Sequence, residues 1–339
     1  MWRGITLFFP GFLALHLQAA QPLSTNRALV TVVQNSSATS LFIADPPTVR
    51  RMVDKGITAF TGKPSIQASW RSLIATNDIV GIKVYSAPGS MVGTRPAVVE
   101  AVIQSLQEAG FPASQILIWD KRRYDLRSAG WPELADKLGV QCLAASEIGW
   151  DASKYYENPL LGRPLFDELE FDKKGEGVGR RSHLSRLITQ KITKVISVAP
   201  ALNHNQAGVI GHLLGLGLGS FDNTLRFESH PDRLAESIPE LVATPELFDR
   251  LALCLTDALI CQYRGEDRTL LHYAVALNEL RFGKDPVALD VLVQADLENA
   301  RKANPTDGEK PVKTELFNNC ELLELGVADP KRITVINTP

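Results

Sequence analysis

The sequence predicts an α/β fold: a mostly parallel sheet with helices on both faces and one irregular insertion. Three observations carry this. Apolar, β-branched runs alternate with segments of helical period along most of the chain. Asp78 to Trp119 reads as strand, helix and strand, a crossover that requires parallel pairing. With 339 residues and 45% hydrophobic side chains, the chain can also bury the large core that such a sheet needs.

Taken in order, Met1-Trp2-Arg3 and the apolar run from Gly4 to Leu17 form a signal peptide over residues 1–20, with small residues for cleavage at Ala19 or Ala20. The run is shorter than the roughly 20 residues that span a bilayer, so no membrane span is expected. The mature protein is then periplasmic or extracellular. Residues 27–339 read as a single α/β domain.

Arg27 to Val33 is a first strand, and Pro46-Pro47-Thr48 opens a helix to about Lys55. Ser69 to Ile74 is a weak element. Asp78 to Val84 is a strand ending at Lys83, and Thr94-Arg95-Pro96 starts a helix that Thr94 can cap and Gly110 ends. Gln115 to Trp119 is the next strand, ending at Asp120. Trp131 to Leu138 is helical and Val140 to Ala144 extended. From about 147 to 180 periodicity fails, which marks an irregular excursion with room for one hairpin.

Val195 to Val198 is an apolar strand, and Pro200 breaks its pattern before the polar group Asn203-His204-Asn205-Gln206. An apolar, glycine-rich helix follows to Gly219, then a turn and Arg226, Glu228 and His230. A strand emptying into a polar loop and a helix is where open α/β sheets place ligands. Pro231 to Leu251 is helical and broken at Pro239 and Pro245. Leu251 to Ile260 and Tyr273 to Phe282 are strands joined by a charged turn. Asp285-Pro286 caps a helix to about Ala303, Glu315 to Leu325 is the last helix, and Ile333 to Ile336 the last strand.

A net charge of -2 argues against a general nucleic-acid binder. The four cysteines contain no CxxC pair, so neither a zinc ribbon nor a cysteine-bound iron–sulfur cluster is readable. Cys254 and Cys261, seven apart, fall on opposite faces of a continuous strand and read as buried thiols. Five histidines lie between 183 and 272. On one helix, His204 and His212 would stand about 12 Å apart, too far for one ion. No protein-bound metal is expected. Gly215-x-Gly217-x-Gly219 ends a helix instead of opening one, so it is a packing feature and not a dinucleotide fingerprint. No nucleophile elbow or phosphate-binding P-loop is present.

Lys83 and Asp120 end neighbouring strands and share the carboxyl edge of the sheet with Asn203 and His204. Asp257 and Asp290 are charges in apolar settings, which must be paired, hydrogen-bonded or protonated. The expected catalytic residues are His204, Asp257 and Asp290. Lys83, Asn203, Arg226 and His230 are the expected ligand-binding residues.

Three segments, in order, resemble the family catalogued as domain of unknown function 362. They are Gly81-Ile82-Lys83-Val84 with Thr94-Arg95-Pro96, the stretch from Leu202 through Arg226 to His230, and Asp257-Ala258-Leu259 with Lys284-Asp285-Pro286-Val287-Ala288-Leu289-Asp290. The resemblance implies an α/β fold and no particular reaction or cofactor. Relatives often carry a cysteine-rich cluster segment and a lysine in the helix after His204; this chain has neither. Its function is expected to be that of an exported enzyme acting on a small polar or anionic molecule. A non-catalytic protein that holds a ligand or partner in the same crevice is the alternative.

Overall fold

The computed structural model describes residues 27–158, 180–228, 231–306 and 315–338. From the amino end come β1 (Ala28–Gln34), the small hairpin β2 (Thr39–Ser40) and β3 (Ile43–Ala44), α1 (Pro46–Thr61) and α2 (Ile66–Leu73). Next are β4 (Val80–Lys83), α3 (Pro96–Glu108), β5 (Ile116–Asp120), α4 (Arg123–Ser128), α5 (Trp131–Leu138), β6 (Gln141–Ala144) and α6 (Ala145–Ile148). The pair β7 (Trp150–Glu157) and β8 (Arg181–Ser185) follows, then β9 (Lys194–His204), β10 (Gly208–Val209), α7 (Gly211–Ser220) and α8 (Leu225–Glu228). The rest is α9 (Pro231–Val242), α10 (Pro245–Phe248), β11 (Leu251–Gln262), β12 (Ala274–Gly283), α11 (Pro286–Ala303), α12 (Glu315–Leu322) and β13 (Ile333–Thr338).

The main sheet runs β13-β1-β12-β11-β9-β4-β5-β6, with β10 beside β9. The block β11-β9-β4-β5-β6 is parallel throughout, and β12 runs antiparallel between β1 and β11. Strand period two sorts the side chains. Ile116 and Ile118 join a core under α1, α2, α3 and α5, whereas Leu117 and Trp119 join one under α7, α9, α11 and α12. Helices thus cover both faces. The excursion begins with β7, which pairs β8 antiparallel; the signal-peptide residues and 159–179 lie outside the described residues.

Local chemistry corrects four expectations. The first helix runs to Thr61, and its cap is Asp45, whose carboxylate accepts from Thr48 N. Thr94 does not cap α3: its hydroxyl donates to Val198 O at 2.7 Å and accepts from Tyr85 N. Pro200 does not end its strand. It lies where the β9–β11 ladder is about to slip, after β4 has already ended opposite Ser197, so little pairing is lost. Pro239 likewise sits inside α9, and the Ala235 carbonyl it cannot bond accepts Asn319 Nδ2 of α12 instead, at 2.8 Å.

A slip in the neighbouring β11–β12 ladder reverses an expectation for the thiols. A register shift between Ala258 and Ile260 moves the alternation by one residue. Cys254 then joins the core cluster that holds Ala288 and Leu289, and Cys261 the one that holds Val293 and Leu297, all four on α11. Both cysteines face the same layer of helices and are buried and unpaired.

Candidate active site

Lys83 and Asp120 close β4 and β5, adjacent parallel strands, and both point to the α7 side of the sheet. Lys83 Nζ donates to Asp120 Oδ1 at 2.8 Å and to Val84 O at 2.7 Å, and it lies 5.5 Å from the Trp119 ring. Asp120 also accepts from Lys121 N (2.8 Å) and Ser86 N (2.9 Å). A Cβ on Gly219 would stand 2.2 Å from Lys83 Cε and 2.6 Å from Nζ. The last glycine of the α7 run is therefore what lets the lysine pass over the helix to the aspartate. Gly217 meets Ile238 of α9 instead, and Gly215 faces open space.

That open space is a crevice of about 130 Å³ between α7 and the carboxyl ends of β4 and β5. Lys83 and Asp120 lie at its wall, joined by Lys121, Arg122 and Asp125 from the start of α4, Glu228 from α8 and Asp267 from the loop after β11. Several of these are engaged. Tyr85 donates to Asp267 at 2.6 Å, and Thr224 to Glu228 at 3.1 Å. Burial, with Asp267 beside it, pushes the Tyr85 phenol well above its ordinary value. Burial also raises the Asp125 carboxyl, with Asp120 adding to the shift and Arg122 opposing it. Lys83 has three N–H donors and two acceptors here, which leaves one for the crevice.

Of the six expected residues that are described, the structure brings only Lys83 into this crevice wall. His204 ends β9, and its Nδ1 accepts from Ala207 N (3.0 Å) and Gln206 N (3.3 Å), so the ring shapes the turn into β10. Burial lowers its pKa, against the opposing pull of Glu266, Asp267 and Glu228. Asn203 is buried beside it and accepts from Glu266 N at 3.1 Å, tying down the loop after β11. Arg226 is a clamp: its guanidinium donates to Asn223 O, Arg180 O and Ser182 Oγ, and lies 4.5 Å from the Phe227 ring. His230 lies outside the described residues.

Asp257 and Asp290 are buried, and both hold helices. Asp257 accepts from the Arg95 guanidinium (2.9 Å) and from Arg95 N (3.0 Å), which fixes the start of α3 on the opposite face. Asp290 accepts from His212 N (2.7 Å) and Leu213 N (2.9 Å), capping α7 from α11. Desolvation nevertheless pushes its pKa up to about 7. His212 is a core residue between Ser197 Oγ (2.8 Å) and Thr256 Oγ1 (3.0 Å), with burial lowering its pKa to about 3. His183 pairs with buried Asp222 at 3.2 Å. Among the described residues, no group of three or more His, Cys, Asp or Glu side chains could hold a metal ion.

Sequence reasoning passed over Asp125, Glu228, Asp267 and Arg122. The run Asp120-Lys121-Arg122, straight after apolar Ile116 to Trp119, was a usable signal for two of the crevice's cations.

No protein-family profile matches the chain, and no curated protein matches it. Among solved structures it is similar to the crystal structure of a Thermotoga maritima protein determined as a structural genomics target. The two are 9% identical, with a TM-score of 0.43. The match covers 79% of this chain but spans only 60% of the other. Among the described residues no helix is long and apolar enough to cross a membrane.

Proposed function

We propose that this is an exported protein of the domain of unknown function 362 kind, and that its crevice binds and transforms a small polar molecule carrying an anionic group. The observation behind this reading is the buried Lys83–Asp120 pair, 2.8 Å apart, at the wall of a cavity on the carboxyl edge of parallel strands. A buried ion pair costs desolvation that a hydrophobic pair would avoid, so its place at a cavity favours a role in binding. Lys83, through its remaining N–H, and Arg122, exposed at the rim, take the anionic group. Asp125, with its raised pKa and no side-chain hydrogen bond, is placed to carry a proton. Asp267 and Glu228 accept from hydroxyl or N–H groups of the same ligand.

The cavity volume limits that ligand to a few heavy atoms, well below the 300 Å³ or so of a drug-sized pocket. A non-catalytic reading draws on Leu214, Gly215 and Leu218, which give the α7 wall no charge where relatives tend to show a lysine. A panel of small hydroxy acids, carboxylates and phosphates, screened for thermal stabilisation and then for turnover, separates the two. Turnover abolished by Asp125→Asn with binding kept supports the enzyme. Binding without turnover leaves the holding protein, and no stabilisation by any member contradicts both.

A further inference from the structure

The balance of charge around the Lys83 crevice narrows the ligand it can take. Among the described residues, four carboxylates line it (Asp120, Asp125, Glu228 and Asp267) against three cations (Lys83, Lys121 and Arg122). Two of those cations are engaged within the fold. Lys83 pairs with Asp120, and Lys121 Nζ donates to Asp222 O and Thr224 Oγ1. The acids keep more in hand. Asp267 accepts from the Tyr85 hydroxyl through Oδ1 and Glu228 from Thr224 through Oε1, so each retains a second oxygen. Their fields overlap in the crevice. Burial, and then Asp267, Asp120 and Glu228, raise the pKa of the Tyr85 phenol; burial, and then Asp120 and Asp267, raise that of Asp125.

An anion entering alone would add negative charge to a wall that already holds an excess of it. A ligand that brings its own positive group removes that penalty. Resting on the reading of this crevice as a ligand site, we infer that its ligand is a small zwitterion. It carries an acid group with a primary ammonium a few bonds away, as in a short amino acid or an aminoalkyl phosphate. The acid takes the remaining Lys83 N–H and Arg122, and the ammonium donates to the second oxygens of Asp267 and Glu228. Leu214, Leu218 and the bare Gly215 face the carbon stem. The cation is an ammonium and not a metal, because no group of three or more acids, His or Cys among the described residues could share an ion. An ammonium reaches each acceptor through its own N–H at about 2.8 Å, which bridges carboxylates set too far apart for a metal's shell of about 2.0–2.6 Å.

Calorimetric titration of the full chain with L-alanine, propionate and ethylammonium tests this, since the last two are alanine less one charged group. The pair 2-aminoethyl phosphate and ethyl phosphate repeats the comparison for a phosphate. Each zwitterion should bind about tenfold or more tighter than its ammonium-free counterpart, the scale of one charge-assisted hydrogen bond, and ethylammonium should bind more weakly than alanine. Tighter binding of alanine assigns the acid to a carboxylate, and tighter binding of 2-aminoethyl phosphate assigns it to a phosphate. Glu228→Gln and Asp267→Asn should each weaken the better zwitterion by about tenfold. Its ammonium-free counterpart should bind these variants as it binds wild type, or more tightly, because a repelling charge is gone. That opposite response rules out unfolding as the cause. A counterpart that binds as tightly as its zwitterion, or wild-type zwitterion affinity in both variants, would overturn this inference and leave the crevice as an anion site. No binding by any of these probes overturns it too, and the crevice reading falls with it only if the hydroxy acids of the wider panel also fail.

Discussion

Two buried ion pairs flank the central strands, and they are built differently. Arg95–Asp257, 2.9 Å apart, is sealed on the α3 face: Asp257 is fully buried, and its acceptors are taken by the Arg95 side chain, Arg95 N and Leu259 N. Lys83–Asp120, 2.8 Å apart, stands on the α7 face at a cavity, with one ammonium donor left over. The first pair spends the carboxylate on the start of α3 and on its own strand, faces no cavity, leaves only Arg95 Nε without a partner, and anchors a helix. The second leaves an ammonium donor open toward space that a ligand can enter. Burial and opposite charge alone do not mark a site; an unspent donor at a cavity does.

This contrast can be broken by experiment, and the sealed pair should give the largest effect. Asp257→Ala strands the Arg95 guanidinium in the core, and denaturant unfolding should show a loss of about 3–5 kcal/mol. Asp290 extends the comparison to a buried acid with no cation at all. Its carboxyl is raised from 3.8 to about 7, mainly by desolvation, with Asp285 adding to it and two backbone N–H groups opposing. A raised folded pKa means that the stability it contributes is complete below the unfolded value near 4 and is lost as pH rises through 7. The wild type should therefore lose up to about 4 kcal/mol between those limits, at 1.36 kcal/mol per pKa unit. Asp290→Asn should flatten that decline in stability-versus-pH curves.

Lys83→Met should cost less, about 1–3 kcal/mol, because Asp120 keeps Ser86 N and Lys121 N and borders the cavity. If it costs as much as Asp257→Ala, the two pairs are alike and the distinction fails. Gly219→Ala should be of similar or smaller size, about 1–3 kcal/mol, by driving a methyl group into the lysine stem. A Tm equal to wild type would mean that Lys83 does not need the path across α7.

The sheet was legible wherever one local signal sufficed. Lys83 and Asp120 follow apolar runs, and parallel strands put such ends on one edge, so their meeting followed from period and topology. Asp257 and Asp290 were rightly read as buried charges. Their partners were not, because Arg95 and the α7 amides come from elements distant in sequence. His204 drew attention by residue type, yet its acceptor nitrogen is consumed two and three residues away. Asp125, Glu228 and Asp267 reach the crevice from a short helix, another short helix and a charged loop, none carrying a periodic signal. The cysteine faces turned on a single-residue slip in β11 that no hydrophobic pattern announces.

The central claim is that ligand is held by the crevice at Lys83 and not by the polar turn at His204. Calorimetric titration of acetate, lactate and inorganic phosphate into wild type, Lys83→Met and His204→Ala tests it most directly. For the best-bound of these probes, the account predicts about tenfold or more weakening in Lys83→Met, the worth of one charged hydrogen bond, and near wild-type affinity in His204→Ala. Unchanged affinity in Lys83→Met with binding lost in His204→Ala would contradict it.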